Sequence, residues 1–166
     1  MGRSVKYKTP EEMQSVPDGN VIFLGDLFAK DFKTEKALSK YIEDNISLFC
    51  KNNLSDDFVS YTTERPVRGH FRFSPRGRRI DIHIICKEYE YIVELKNPTG
   101  LSENRNGIGQ LLDYGREFPY SKKQLLLISS KFDAGTAKTI KYYKLPIRYF
   151  FINKKQILEY IGEEDG

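Results

Sequence analysis

Residues 77–96, GRRIDIHIICKEYEYIVELK, place charged side chains inside what otherwise reads as two buried strands. Asp81 is followed by Ile82, Ile84 and Ile85, and Glu94 and Lys96 stand among Ile92, Val93 and Leu95. Buried strands exclude such charges unless they are paired or hold a metal. The pattern predicts strands over Ile80–Cys86 and Tyr91–Lys96, joined across Lys87–Glu90 as an antiparallel hairpin. Side chains alternate along a strand, so Glu94 and Lys96 share one face, opposite Val93 and Leu95. Asp81 begins its strand and Glu94 ends the neighbouring one, so a hairpin brings Asp81, Glu94 and Lys96 together. Two carboxylates with free oxygens suit Mg²⁺ or Mn²⁺, which keep several waters. A lysine beside such an ion has its pKa pushed down and can orient or deprotonate a water. The electrophile that fits is a phosphodiester, whose developing charge a cation stabilises.

Around this hairpin the chain predicts one mixed α/β domain over residues 1–166. It divides into an N-terminal extension (1–30), a core (31–153) and a C-terminal helix and tail (154–166). VIFLGDLF reads as a short strand, Val21 to Phe28. Thr34 caps a helix running to about Lys51, with apolar residues at i, i+3 and i+4. A strand follows from Phe58 to Arg65, stopped by Pro66. The stretch to Arg79 reads as a protruding loop, and NPTGLSENRNG as a polar loop before a helix over Gly109–Phe118. Then come the apolar strand QLLLISS, a helix over Ala134–Tyr143, the strand IRYFFI and a final helix over Lys155–Ile161. The aromatics of KYYKLPIRYFFI read as core. The continuous apolar strand implies a sheet covered on both faces.

Charge is informative through its distribution. The net charge is only +4, yet six of the ten arginines fall between Arg65 and Arg79. Arg65, Arg68, Arg72, Arg76, Arg78 and Arg79, with Phe71 and Phe73 interleaved, favour phosphate contact. If they are merely solvated, the basic footprint belongs to Lys122, Lys123, Lys138 and Lys141. No apolar run approaches the roughly 20 residues that cross a bilayer, and the first residues lack a signal-peptide core. The chain starts Met-Gly, but Lys6 breaks the myristoylation pattern. Cys50 and Cys86 in apolar surroundings suggest buried thiols in a reduced, cytoplasmic protein. Two cysteines and two distant histidines do not form a zinc pattern. His83 shares the strand face of Asp81 by alternation and reads as a satisfied structural histidine; His70 has no assigned role.

Asp81 followed by Glu94-Leu95-Lys96 resembles the PD-(D/E)XK nuclease superfamily. Gln110-Leu111-Leu112-Asp113-Tyr114 is similar to the QxxxY helix of its RecB-like, archaeal mismatch-endonuclease-like and viral branches. Ile80 stands where many members have proline. The resemblance spans roughly Glu35 to Tyr114. It implies a restriction-endonuclease-like core, a central mixed β-sheet flanked by helices in the order αβββαβ with C-terminal additions. It also implies Mg²⁺-dependent (or Mn²⁺-dependent) cleavage of nucleic-acid phosphodiesters. Asp81 and Glu94 would be metal ligands, the Leu95 carbonyl an added ligand, Lys96 the catalytic lysine and Gln110 a site residue. Members often add a glutamate from the first core helix. At 100° per residue, Leu38, Ile42, Ile46 and Phe49 lie within about 60° of Glu35, whereas Glu43 lies about 80° away. Glu35 is therefore favoured as the extra ligand or water-orienting group. Tyr114 is either a DNA contact or a core aromatic. A chain too short for a separate specificity domain points to recognition of DNA structure (branched, mismatched or junction DNA), to a partner, or to a homodimer. The competing readings are a catalytically silent DNA-binding protein of the same fold and a structural subunit dimerising through its C-terminal aromatics.

Overall fold

The computed structural model describes residues 5–7, 32–67, 79–97, 103–117, 122–153 and 156–163. Helix α1, Glu35–Asp44, begins where Thr34 Oγ1 accepts the Ala37 N–H at 3.1 Å, and it turns Leu38, Tyr41 and Ile42 inward. The single helix expected to Lys51 is interrupted at Asn45. There the side-chain amide donates to the Tyr41 carbonyl at 3.0 Å, so a side chain takes over a carbonyl that helix backbone normally satisfies. The chain continues as a short helix α2, Ile46–Phe49, and a π-turn, Cys50–Leu54, ending at Ser55 with φ 53°. Cys50 and Cys86 are free, buried thiols.

Strands β2 (Phe58–Pro66), β3 (Arg79–Cys86) and β4 (Glu90–Lys96) form an antiparallel meander. Helix α3 (Glu103–Glu117), β5 (Lys123–Ser129), α4 (Ala134–Tyr142), β6 (Ile147–Asn153) and β7 (Gln156–Glu163) follow. With β1 (Val5–Tyr7), the seven described strands form one sheet in the order β1-β7-β6-β5-β4-β3-β2. Pairing is parallel through β4-β5-β6 and antiparallel elsewhere.

Two further expectations are corrected. Helix α3 starts six residues before Gly109, because Ile108, Leu111 and Tyr114 bury one face on the sheet and override the helix-breaking tendency of Gly107 and Gly109. The final helix is instead strand β7, with Ile157 and Leu158 buried in opposite core layers, an alternation only a strand gives. Part of the N-terminal extension, β1, pairs with β7. The strand expected over Val21–Phe28 lies outside the described residues.

One core layer joins Leu38, Ile42 and Phe49 to Ile82, Ile84, Val93 and Leu95. The other joins Leu111 and Tyr114 of α3, and Ala137 and Ile140 of α4, to Ile92, Leu125 and Leu127. The apolar run of β5 thus feeds both layers, as a doubly covered strand must. Among the described residues no helix is long and apolar enough to cross a membrane.

Candidate active site

Strands β3 and β4 part company where the charges sit. Their register runs from Ile85↔Glu90 to Ile82↔Val93 and stops, while β4 continues to Lys96 and β3 stays paired with β2 as far as Pro66↔Arg79. Beyond Ile82 the backbone ladder is replaced by a side chain: Asp81 Oδ2 accepts the Leu95 N–H at 2.8 Å. The regular alternation of β3 also breaks here. Ile82 and Ile84 face the α1 layer, yet Ile80 packs in the α3 layer. On β2, Glu64 adopts φ 53° between the pairs Thr63↔Ile82 and Arg65↔Ile80, which places it opposite Asp81.

The opening leads into a cleft of about 950 Å³ between α1 and β2, lined by Glu35, Lys36, Lys40, Glu43, Tyr61, Thr63, Glu64, Asp81 and Leu95. On the α3 side of the sheet, Lys96 Nζ pairs with Glu94 Oε1 at 3.0 Å, and the two side chains are only 13% and 3% exposed. Glycine at 107 makes room for this lysine. A Cβ there would stand 3.2 Å from Lys96 Cε and 2.9 Å from Leu127 Cδ1.

These groups repel and attract one another strongly. Burial pushes Asp81 up to about 6, against the Leu95 N–H and Lys96; Glu35 and Glu64 push it further. Burial, then the charge of Asp81, pushes Glu94 up to about 8. Burial works against the Lys96 ammonium, but Glu94, Glu35 and Asp81 outweigh it and hold its pKa above the ordinary range. With protein groups alone Lys96 is therefore firmly an ammonium; the expected depression belongs to a site that also holds a cation. Glu94 Oε2 is buried with no hydrogen-bond partner among the described residues, and so is Gln110 Oε1.

Asp81 lines the cleft on the α1 side while the Glu94–Lys96 pair lies on the α3 side; the three groups act on one another electrostatically across the opening, as does exposed Glu35 at the cleft rim. Glu43 lines the same cleft but accepts from Ser39 Oγ at 3.2 Å. Leu95 is buried in the α1 layer. One participant was missed: Glu64, which lines the cleft beside Asp81, carries no sequence signal, since its position depends on a left-handed backbone.

Other expectations shift. Tyr114 is buried and donates to the Arg79 carbonyl at 3.0 Å, so it fastens the end of β3 and has no surface to offer DNA. Arg65 is tied to His83 Nδ1, whose Nε2 meets Glu90 Oε2 at 3.3 Å. This confirms a structural histidine and leaves Arg65 less available for phosphate. Burial and then Arg65 push the pKa of His83 down. The break in alternation also separates Asp81 from the face of His83. Arg79 is exposed. Arg68, Arg72, Arg76 and Arg78, and His70, lie outside the described residues.

No protein-family model matches the sequence, and no curated protein matches it. A repair endonuclease from Pyrococcus abyssi superposes with a TM-score of 0.50 at 17% identity over 76% of this chain and 50% of that one. The chain has a restriction-endonuclease-like fold. The small subunit of the heterodimeric restriction endonuclease R.BspD6I is a more distant likeness, with a TM-score of 0.43 and 13% identity over 71% of this chain and 60% of that one. The chain spans half the length of the Pyrococcus abyssi protein. In this restriction-endonuclease-like fold the opening between β3 and β4 is the place where buried charge gathers.

The donor set fits a hard divalent cation. Asp81 and Glu94 supply oxygens, of which Glu94 Oε2 has no partner among the described residues; burial first, and neighbouring carboxylates after it, raise both pKa values, and a cation would oppose both effects. Among the described residues no group of three or more His, Cys, Asp or Glu side chains is arranged to hold a metal. Two carboxylates and waters are what Mg²⁺ commonly accepts.

Proposed function

We propose that the protein is a metal-dependent endonuclease that hydrolyses DNA phosphodiester bonds, acting on branched, mismatched or junction DNA. One observation supports this reading: half-buried Asp81, bound to the Leu95 N–H, and the buried Glu94–Lys96 pair act on one another electrostatically where two strands splay open on a cleft. A lysine salt bridge alone would not need a second, half-buried carboxylate coupled to it. Asp81 and Glu94 would hold Mg²⁺ or Mn²⁺, with the Leu95 carbonyl and Glu35 as further ligands. A bound divalent ion supplies Lewis-acid stabilisation of phosphate charge and a more acidic water.

The chain's own groups do the rest. Asp81, anchored on the Leu95 N–H, is preorganised and pays no reorganisation when substrate arrives. The Lys96 ammonium, held by Glu94 and packed against Gly107, presents a fixed positive charge and hydrogen-bond donors to a phosphate oxygen or the attacking water. Glu35, at the cleft mouth, orients water on the solvent side. The Gln110 amide, whose buried Oε1 has no partner among the described residues, would hold a water.

The test is cleavage of linear, nicked, branched, mismatched and single-stranded DNA with Mg²⁺. Asp81→Asn should fold as wild type and lose turnover by at least about 100-fold. A wild-type protein that cleaves no member of the panel would end this reading.

A further inference from the structure

The basic and aromatic end of α4 has no part in the site described so far. Tyr142 and Tyr143 are 79% and 67% exposed, not core as the sequence suggested. Their rings meet edge to face, with centroids 4.9 Å apart and planes at 82°. Lys138, Lys141 and Lys144 are exposed around them. Positions 134, 138, 141 and 142 form one solvent stripe, while Thr136, Ala137 and Ile140 bury the opposite face. No acidic residue occurs from Ala134 to Pro146.

Single exposed aromatics are ordinary. Two adjacent exposed rings framed by three exposed lysines, in a stretch of chain with no acidic residue of its own, are a different chemical surface. Lysines at this spacing take successive phosphates, and exposed ring faces take unpaired bases. We infer that the C-terminal end of α4 binds single-stranded nucleic acid, with Lys138, Lys141 and Lys144 on phosphates and Tyr142 and Tyr143 stacked on bases.

The fold says where this would act. α4 begins beyond the end of β5 that lies beside Lys96 and runs back to Ile147, which pairs with Leu125. The patch therefore lies roughly 15–20 Å from Lys96 along the strand direction, on the α3 side of the sheet. The inference rests on the proposed action on DNA: a strand held here would tether substrate that carries a single-stranded arm while the cleft engages another part of it.

The experiment is fluorescence anisotropy with labelled oligothymidine in EDTA over a salt series, beside a Mg²⁺ cleavage assay. Each single-strand phosphate contact contributes about 0.7 to the salt slope. Replacing Lys138, Lys141 and Lys144 by glutamine should flatten the slope by roughly two units. Tyr142→Ala with Tyr143→Ala should weaken binding at least about fivefold and leave the slope unchanged. All five side chains are exposed, so the melting temperature should hold. Wild-type slope in the lysine variant overturns the inference, as does equal affinity for duplex, or binding of anionic lipid vesicles in place of the oligonucleotide. Overturned binding with cleavage intact leaves the nuclease reading standing. Patch-dependent binding without cleavage of any DNA sinks that reading and keeps this one.

Discussion

Gly107→Ala adds one methyl group where the Lys96 stem crosses helix α3. The new Cβ would stand 2.9 Å from Leu127 Cδ1, 3.2 Å from Lys96 Cε and 3.4 Å from Lys96 Cγ. Carbon atoms prefer about 3.5–4.0 Å, so the neighbours must give by about half an ångström or more. Leu127 is fully buried in β5 and has little room, so the lysine stem or the helix must move. Overpacking costs about 1–3 kcal/mol, and alanine in place of a helical glycine returns about 1 kcal/mol. The net loss is about 0–2 kcal/mol, a fall in melting temperature of no more than about 8 °C. Displacing a positioned ammonium by this much should reduce single-turnover cleavage at saturating DNA by about 10–100-fold, with DNA affinity unchanged. Gly115→Ala is the control: it lies on the same helix, and its Cβ would meet Leu125 Cδ1 at 3.0 Å but not Lys96. It should cost similar stability and spare turnover. NMR of the Lys96 side chain gives a readout independent of cleavage. Wild-type Lys96 resonances and turnover in Gly107→Ala would refute the positioning of Lys96 by this glycine.

Further outcomes follow from the same geometry. Asp56 is buried and accepts from the N–H groups of Asp57, Glu88 and Tyr89 and from the Tyr91 hydroxyl; Asp56→Ala strands those donors and should cost about 3–5 kcal/mol in urea unfolding. Burial opposes the charge of Asp56, but its hydrogen bonds, led by the Glu88 N–H, outweigh it and hold its pKa down, so this stability is present above the ordinary carboxylate pKa and is lost as pH falls through the lower folded value. Asp81 and Glu94 have the opposite sign: with folded values of about 6 and about 8, melting temperature in EDTA should fall as pH rises from the ordinary carboxylate range through those values. Protons then compete with a cation, so log Mn²⁺ affinity in calorimetry should climb by about one per pH unit between those two values and level off above the higher; a flat profile would remove both carboxylates from the ligand set. Lys96→Ala should keep DNA affinity and lose cleavage by at least about 100-fold in a single-turnover assay.

The hairpin carrying Asp81, Glu94 and Lys96 was legible because both of its determinants are local: period-two alternation and a short turn fix which residues are cross-strand neighbours. The cap at Thr34 and the doubly covered β5 were legible for the same reason. Lys155–Ile161 read as a helix because a short amphipathic run fits both periods, and pairing with β6 chose between them. Tyr142 and Tyr143 read as core because an aromatic beside apolar residues carries no mark of the face it will take. Least legible was the splay of β3 from β4. Asp81 replaces a ladder bond, Glu64 turns left-handed opposite it, and the alternation of β3 breaks at Ile80. Each departure from regular strand geometry is unfavourable alone and persists only because two core layers and the Tyr114–Arg79 bond hold it from opposite sides. Local sequence determined which charges gather at this end of the hairpin; only the packing of helices on both faces of the sheet decided that they flank an opening.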